Sequence, residues 1–196
     1  SDPEMIGKYL YEVYSHDEYG LRGYILENAK QSLRAGADKV LETLLQEHPL
    51  ADYATRAAHK IIADVRSDVD AYIALVKQDE QRLGRPLTDQ SICDIAKRLN
   101  AAFRSEEAIH WLNKIEDSSH YYSQKMQLLI EAYQLEGKDR EVPDLLWQRF
   151  ERYLSAKDYL AYLKGTTESQ RAKSKAIQLD TTYPNISSTL TFLVDI

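Results

Sequence analysis

The chain has 196 residues, of which 43% are hydrophobic and 29% are charged, and its formal net charge is −6. This composition is typical of a globular protein with a sizeable core, and it argues against disorder. The mild acidic excess, without a dense Lys and Arg cluster, argues against direct nucleic-acid binding, and no run of about 18 apolar residues predicts a membrane span.

Apolar residues spaced by three and four positions predict helices along nearly the whole chain. Residues 1–4 resemble a cloning remnant, so the fold prediction begins at Met5. Three helical segments come first; Gly36 breaks the second of them, and the third stops at His48 and Pro49. Their apolar positions are Tyr9, Leu10, Val13, Leu21, Tyr24, Ile25, Ala29, Leu33, Val40, Leu41, Leu44 and Leu45.

Helical hairpins are predicted in the middle of the chain, over 54–76, 88–116 and 121–154, with a turn at 84–86. A further helix follows, and helix is expected to about Leu179. A short helix is favoured over a strand in the last residues. Polar residues mark the predicted helix starts: Ser67 with Asp70, Ser155 with Asp158, Thr167 with Gln170, and Asn185.

Two of these hairpins share an apolar pattern when the later one is aligned with the earlier one. The matched pairs are Ile92 and Met126, Ile95 and Leu129, Ala96 and Ile130, Leu99 and Tyr133, Ala108 and Val142, Trp111 and Leu145, Leu112 and Leu146. The constant shift between the members of each pair is the tetratricopeptide period, in which a helix–turn–helix unit recurs about every 34 residues. The second copy departs from the pattern at Val142 and Arg149, where small residues are usual.

The predicted fold is therefore all-α, an α-α superhelix of about five helical hairpins in a tetratricopeptide-like solenoid. It is predicted to form a single helical-repeat domain over 5–196. The chain ends on the apolar stretch 192–196. Such an end ordinarily needs another helix to cover it, which is the pattern of a fragment from a longer array.

Several segments resemble an uncharacterised bacterial family of helical-repeat domains. They are 68–76 (DVDAYIALV), 95–112 (IAKRLNAAFRSEEAIHWL), 128–137 (LLIEAYQLEG), 146–151 (LWQRFE) and 159–163 (YLAYL). Some members of that family resemble the regions found after SWIM zinc fingers, which are implicated in DNA or protein contacts. The resemblance implies no catalytic residues. A SWIM finger needs three cysteines and a histidine, so Cys93 alone does not supply one.

One helix of each hairpin is expected to line a concave face. Its inward positions are Gln90, Cys93, Lys97, Asn100, Ala101, Gln124, Gln127, Glu131, Gln134 and Leu135. This polar groove suits hydrogen bonding to an extended or helical peptide, and a solvated helix face without a ligand is an equally weighted alternative. Carboxylate-gripping tetratricopeptide domains have Lys and Asn where this chain has Cys93 and Lys97, which argues against a chaperone-type clamp.

Tyrosines are unusually frequent, with fourteen in the chain. They crowd the first hairpin and the fifth. Tyrosine is enriched at interfaces, but packing between helices is the favoured interpretation for most of them. Tyr11 and Tyr19, which lie off the main apolar stripes, are the predicted exposed contacts. The predicted binding residues are therefore Lys97, Asn100, Gln127, Glu131, Gln134, Tyr11 and Tyr19.

No catalytic residue, metal ligand or cofactor site is predicted. The five histidines show no His-Glu-x-x-His pattern, and the acidic pairs lie at helix starts or turns, where carboxylates suit the helix dipole. Cys93 is the only cysteine, which excludes an internal disulfide and favours a reducing cytoplasm. A lone cysteine on a helix is most often inert packing.

The predicted function is a non-catalytic protein-interaction module in the bacterial cytoplasm that binds a protein or peptide partner through the concave face. One alternative is an accessory domain of a nucleic-acid-associated zinc-finger protein, in which this chain makes no direct contact with nucleic acid. A second alternative is a helical enzyme with an unrecognised site. The sequence leaves the oligomeric state open, and it predicts no membrane partner.

Overall fold

The computed structural model describes residues 2–17, 21–153, 155–165 and 174. All secondary structure in these residues is helical, and most helices pack against the next helix along the chain, which confirms the all-α helical-repeat class. The chain divides into two compact units between Ser91 and Ile92. The predicted helices that begin at Thr167 and Asn185 lie outside the described residues.

The first unit contains six helices and a π-helical turn among its described residues. Its elements are α1 (Pro3–Ser15), α2 (Arg22–Asn28), α3 (Lys30–Ser32), the π turn (Leu33–Ala37), α4 (Asp38–Glu47), α5 (Asp52–Val65) and α6 (Val69–Arg82). Helix α1 packs on α4, α2 packs on α5, and α5 and α6 form a hairpin. Tyr14, Leu26, Leu33, Leu41 and Leu45 are at most 1% exposed and form the centre of the core.

Two predicted breaks in the first unit are confirmed. Gly36 has φ +110° inside the π turn, a backbone conformation that L side chains rarely adopt. The chain therefore kinks there before α4 begins at Asp38. Helix α4 then ends at Glu47, with His48 as its C-cap.

The predicted capping box at Ser67 is wrong by one residue. Ser67 has φ +55°, and the amide of the following residue donates to Ala63 O at 2.9 Å, which closes the C-terminus of α5. Asp68 is the N-cap of α6, where its carboxylate accepts the amide of Ala71 at 2.9 Å. The left-handed turn between the two helices uses Ser67 itself, so the cap moves to Asp68.

Tyrosine hydroxyls link α1 to the end of α4 and to the first turn of α5. The Tyr14 hydroxyl donates to Ala54 O at 2.6 Å, and the Tyr11 hydroxyl donates to His48 O at 2.7 Å. Tyr14 is 0% exposed, and burial raises its pKa from 10.0 to about 12. Packing, the favoured interpretation of the tyrosines, therefore holds for Tyr14.

The buried Tyr14 predicts a loss of stability in alkali. In the unfolded chain this tyrosine ionises near pH 10.0, whereas the folded protein keeps its proton up to about pH 12. Between these values the folded state binds more protons, so the free energy of unfolding falls as the pH rises. Urea denaturation at a series of pH values measures the slope. Tyr14→Phe should make this slope less steep. It should also lower the free energy of unfolding by about 1 kcal/mol at neutral pH, because the hydrogen bond is lost. An unchanged slope in the variant would contradict the assignment.

The second unit contains most of α7 (Asp89–Ala101), together with α8 (Ser105–Leu112), α9 (Tyr122–Leu135), α10 (Val142–Tyr153) and α11 (Ala156–Gly165). Helix α9 packs on α8 and α10, and α10 packs on α11. The starts of α7, α9 and α11, at Asp89, Tyr122 and Ala156, are nearly evenly spaced along the chain. All matched residues of the repeated apolar pattern are buried except Tyr133 and Leu145, which are half-buried.

The turns after α7 and α9 repeat as well, with Phe103 and Gly137 at equivalent positions. Phe103 has φ +57° and Gly137 has φ +66°. In each turn the next amide reaches back to a helix carbonyl: Arg104 N donates to Leu99 O at 2.8 Å, and Lys138 N donates to Tyr133 O at 2.9 Å. This is the Schellman arrangement, which glycine fills without strain. Phe103 occupies this position in the turn after α7, and its aromatic side chain is 79% exposed.

Candidate functional site

Helix α9 is largely buried and carries a stripe of exposed polar residues on one face. Its buried residues include Met126, Leu128, Leu129, Ile130 and Ala132. Three of the predicted binding residues remain exposed at the i, i+4 and i+7 positions of one helix face: Gln127, Glu131 and Gln134.

Helix α7 places its predicted binding residues differently. Lys97 is exposed, but Asn100 is 1% exposed, so the prediction that Asn100 lines a solvent-accessible groove is wrong. Its side-chain Nδ2 donates to Leu128 O of α9 at 3.0 Å. Asn100 therefore links α7 to α9, because the backbone of α9 lies close enough to accept a hydrogen bond from its side-chain amide. Cys93, another predicted inward residue, is 0% exposed.

The hydrogen bond from Asn100 to Leu128 O places α7 beside α9, close in sequence to exposed residues on both helices. Lys97 lies one helical turn before Asn100, and Gln127 immediately precedes Leu128. We call Lys97, Gln127, Glu131 and Gln134 the α7–α9 face. It carries one cation, one anion and two amides, so it offers both hydrogen-bond donors and acceptors. Of the other predicted inward positions, Gln90, Ala101 and Leu135 are exposed and Gln124 is half-buried.

A buried ion pair that the sequence did not predict contacts Gln127 of this face. Arg149 on α10 is 8% exposed and Asp158 on α11 is 5% exposed. The guanidinium donates to both carboxylate oxygens, with Nε 2.9 Å from Oδ2, and its Nη1 donates to Gln127 Oε1 at 2.7 Å. The available signal was Arg149 itself, a charged residue at a position where repeats place a small one.

The structure describes one of the two tyrosines that were predicted as exposed contacts. Tyr11 is half-buried with its hydroxyl bonded to His48 O, because α1 lies against the end of α4, so the prediction of an exposed contact is wrong. Tyr19 lies outside the described residues. Among the described tyrosines of the predicted first hairpin, Tyr9 and Tyr24 are exposed, at 64% and 70%. Packing alone therefore does not account for every tyrosine there.

Two negative findings concern the described helices and side chains. No three His, Cys, Asp or Glu side chains within the described ranges are grouped so that they could hold a metal ion. None of the described helices combines the length and the apolar character needed to cross a membrane.

Comparison with known proteins identifies a family for this chain. No curated protein and no solved structure matches the chain significantly. The model of a protein family, described as a family of unknown function (DUF6880), matches residues 50–196, which include all of α5 to α11 and therefore the whole α7–α9 face. This chain is thus a member of the DUF6880 family of unknown function.

Proposed function

We propose that this chain is a non-catalytic interaction module whose α7–α9 face binds a segment of a partner protein. The observation that carries the proposal is the position of Lys97, Gln127, Glu131 and Gln134. All four are exposed on two helices that a buried hydrogen bond joins at 3.0 Å. A polar surface held on a packed frame loses little conformational entropy when it binds a partner.

The helix spacing supports a tetratricopeptide-like architecture for this module. Helices α7, α9 and α11 begin at Asp89, Tyr122 and Ala156. These intervals match the period of that repeat, which is about 34 residues. Arrays of this kind present one helix of each hairpin to a partner. The proposed compartment is the bacterial cytoplasm. The alternative role beside a SWIM zinc finger rests on the sequence resemblance alone.

A displayed library of random linear peptides tests the proposal. We expect the immobilised chain to select peptides whose binding, measured by fluorescence anisotropy, depends on the α7–α9 face. The double variant Lys97→Ala, Glu131→Ala should weaken that binding about tenfold or more, since each 1.4 kcal/mol is a factor of ten.

The matched control removes the same two charges elsewhere. Lys39 and Glu47 are exposed on α4 of the first unit, so Lys39→Ala, Glu47→Ala should leave peptide affinity unchanged. Equal loss in both double variants would point to a general charge effect and would contradict the proposed face. A library that yields no binding peptide would also count against it.

A further inference from the structure

Gln127 of the α7–α9 face has a described hydrogen-bond partner. That partner fixes the orientation of the Gln127 side-chain amide. Arg149 Nη1 donates to Gln127 Oε1 at 2.7 Å. A guanidinium has five donors and no acceptor, so only the amide oxygen can face it. The NH2 group of Gln127 is therefore turned away from Arg149, on a residue that is itself exposed.

The guanidinium that fixes Gln127 is itself held in place. Its Nε and Nη2 bond to the two oxygens of Asp158, a two-point contact between a planar fork and a carboxylate. Both residues are buried, at 8% and 5% exposure. Two helices therefore position the amide of Gln127, and a ligand meets its two N–H donors already oriented.

The next exposed residue of the stripe has the opposite hydrogen-bonding character. Glu131 is four residues further along α9, a rise of about 6 Å along the helix axis. An extended peptide presents both N–H and C=O groups along one edge, and each kind recurs about every 6.6 Å, the advance of two residues. A stripe that offers a donor at Gln127 and an acceptor at Glu131 is therefore complementary in hydrogen-bonding character to one edge of an extended main chain.

We propose that Gln127 is a main-chain-binding residue that donates its amide hydrogens to a backbone carbonyl of an extended peptide, while Glu131 accepts a backbone N–H nearby. This inference rests on the proposed function and adds the chemistry of the partner. The ligand is an extended segment that presents its main chain, with side-chain specificity supplied at other positions.

Gln127→Glu is the sharpest test, because it removes the two donors and keeps the shape. The new carboxylate still accepts from Arg149, so the urea midpoint followed by tryptophan fluorescence should stay the same or rise. Affinity for a library-selected peptide should fall about tenfold, since a donor pair facing a carbonyl becomes an acceptor. Gln148→Glu is the matched control: Gln148 is exposed on α10, and the change adds the same charge outside the face. It should leave affinity unchanged.

Replacing single peptide amides by esters distinguishes main-chain from side-chain recognition. An ester carbonyl is a weaker acceptor, so one such replacement should weaken binding to the wild-type chain and have little further effect on Gln127→Glu. Unchanged affinity in Gln127→Glu would overturn the inference while leaving the proposed function intact. The inference would also be overturned if the affinity lost in Gln127→Glu depended on a side chain of the peptide and not on its main-chain carbonyl. A library that yields no binding peptide would remove both.

Discussion

Asp158→Ala should lower the free energy of unfolding of the second unit by about 3–5 kcal/mol, the usual cost of removing one partner of a buried ion pair. Arg149 would keep its charge at 8% exposure and lose both bonds to the carboxylate. Its one remaining described partner would be the amide oxygen of Gln127. Trp111 and Trp147 are the only tryptophans, and both lie in the second unit. Their fluorescence during urea denaturation therefore reports on this unit.

The control replaces the pair by apolar residues of similar size. Arg149→Met combined with Asp158→Leu should remain within about 1 kcal/mol of the wild type, because no buried charge is left without a partner. Gln127 is exposed and can exchange its lost partner for water. If Asp158→Ala cost less than about 1 kcal/mol, Arg149 would have to reach solvent easily, and the ordered amide of Gln127 would lose its support.

The repeat was predictable from the sequence because it is a hydrophobic pattern. Pairs such as Ile95 and Leu129, or Leu112 and Leu146, are buried in both copies. Burial of an apolar side chain depends mainly on which helix face it occupies, and spacing along the chain reports that face directly. The predicted ends of helices were accurate for the same reason at Gly36 and His48, where a break in the pattern coincides with a residue that suits a helix end.

The polar interior was not predictable in the same way. Arg149 was recognised as a departure from the repeat, but its partners Asp158 and Gln127 lie on other helices, 9 and 22 residues away. Asp158 had a local explanation, because together with Ser155 it marked a predicted helix start. Periodicity assigns a side chain to a face, and it does not say which distant polar group meets it there.

Asn100 shows the corresponding limit for the site. Its helical position, one turn beyond Lys97, predicts a polar residue at the groove. The distance between α7 and α9 decides whether that side chain reaches solvent or the neighbouring backbone, and the structure places it 3.0 Å from Leu128 O. Of the five groove residues predicted to bind, four are exposed and Asn100 instead holds the two helices together.

Gly7→Ala should lower the free energy of unfolding of the first unit by about 1–3 kcal/mol, the usual cost of overpacking. A Cβ built on Gly7 would lie 2.5 Å from Val40 Cβ, 2.7 Å from Val40 Cγ1 and 3.1 Å from Ala37 O. Cβ and carbonyl atoms do not move when a rotamer changes, so α1 would have to shift away from α4. Far-UV circular dichroism in urea measures the loss, and hydrogen exchange of α1 and α4 locates it.

Gly23→Ala provides the control, because Gly23 also lies within a helix and its Cβ would meet nothing within 4 Å. That change should stabilise the chain by about 0.5–1 kcal/mol through helix propensity.

Second substitutions at Val40 identify the cause of the stability loss in Gly7→Ala. Val40→Ala keeps the Cβ that makes the 2.5 Å contact, so it should couple only weakly with Gly7→Ala. Val40→Gly removes that atom, so its coupling with Gly7→Ala should recover much of the lost stability. Equal coupling in both cycles would mean that side-chain volume, and not the separation of the two helix backbones, sets the cost.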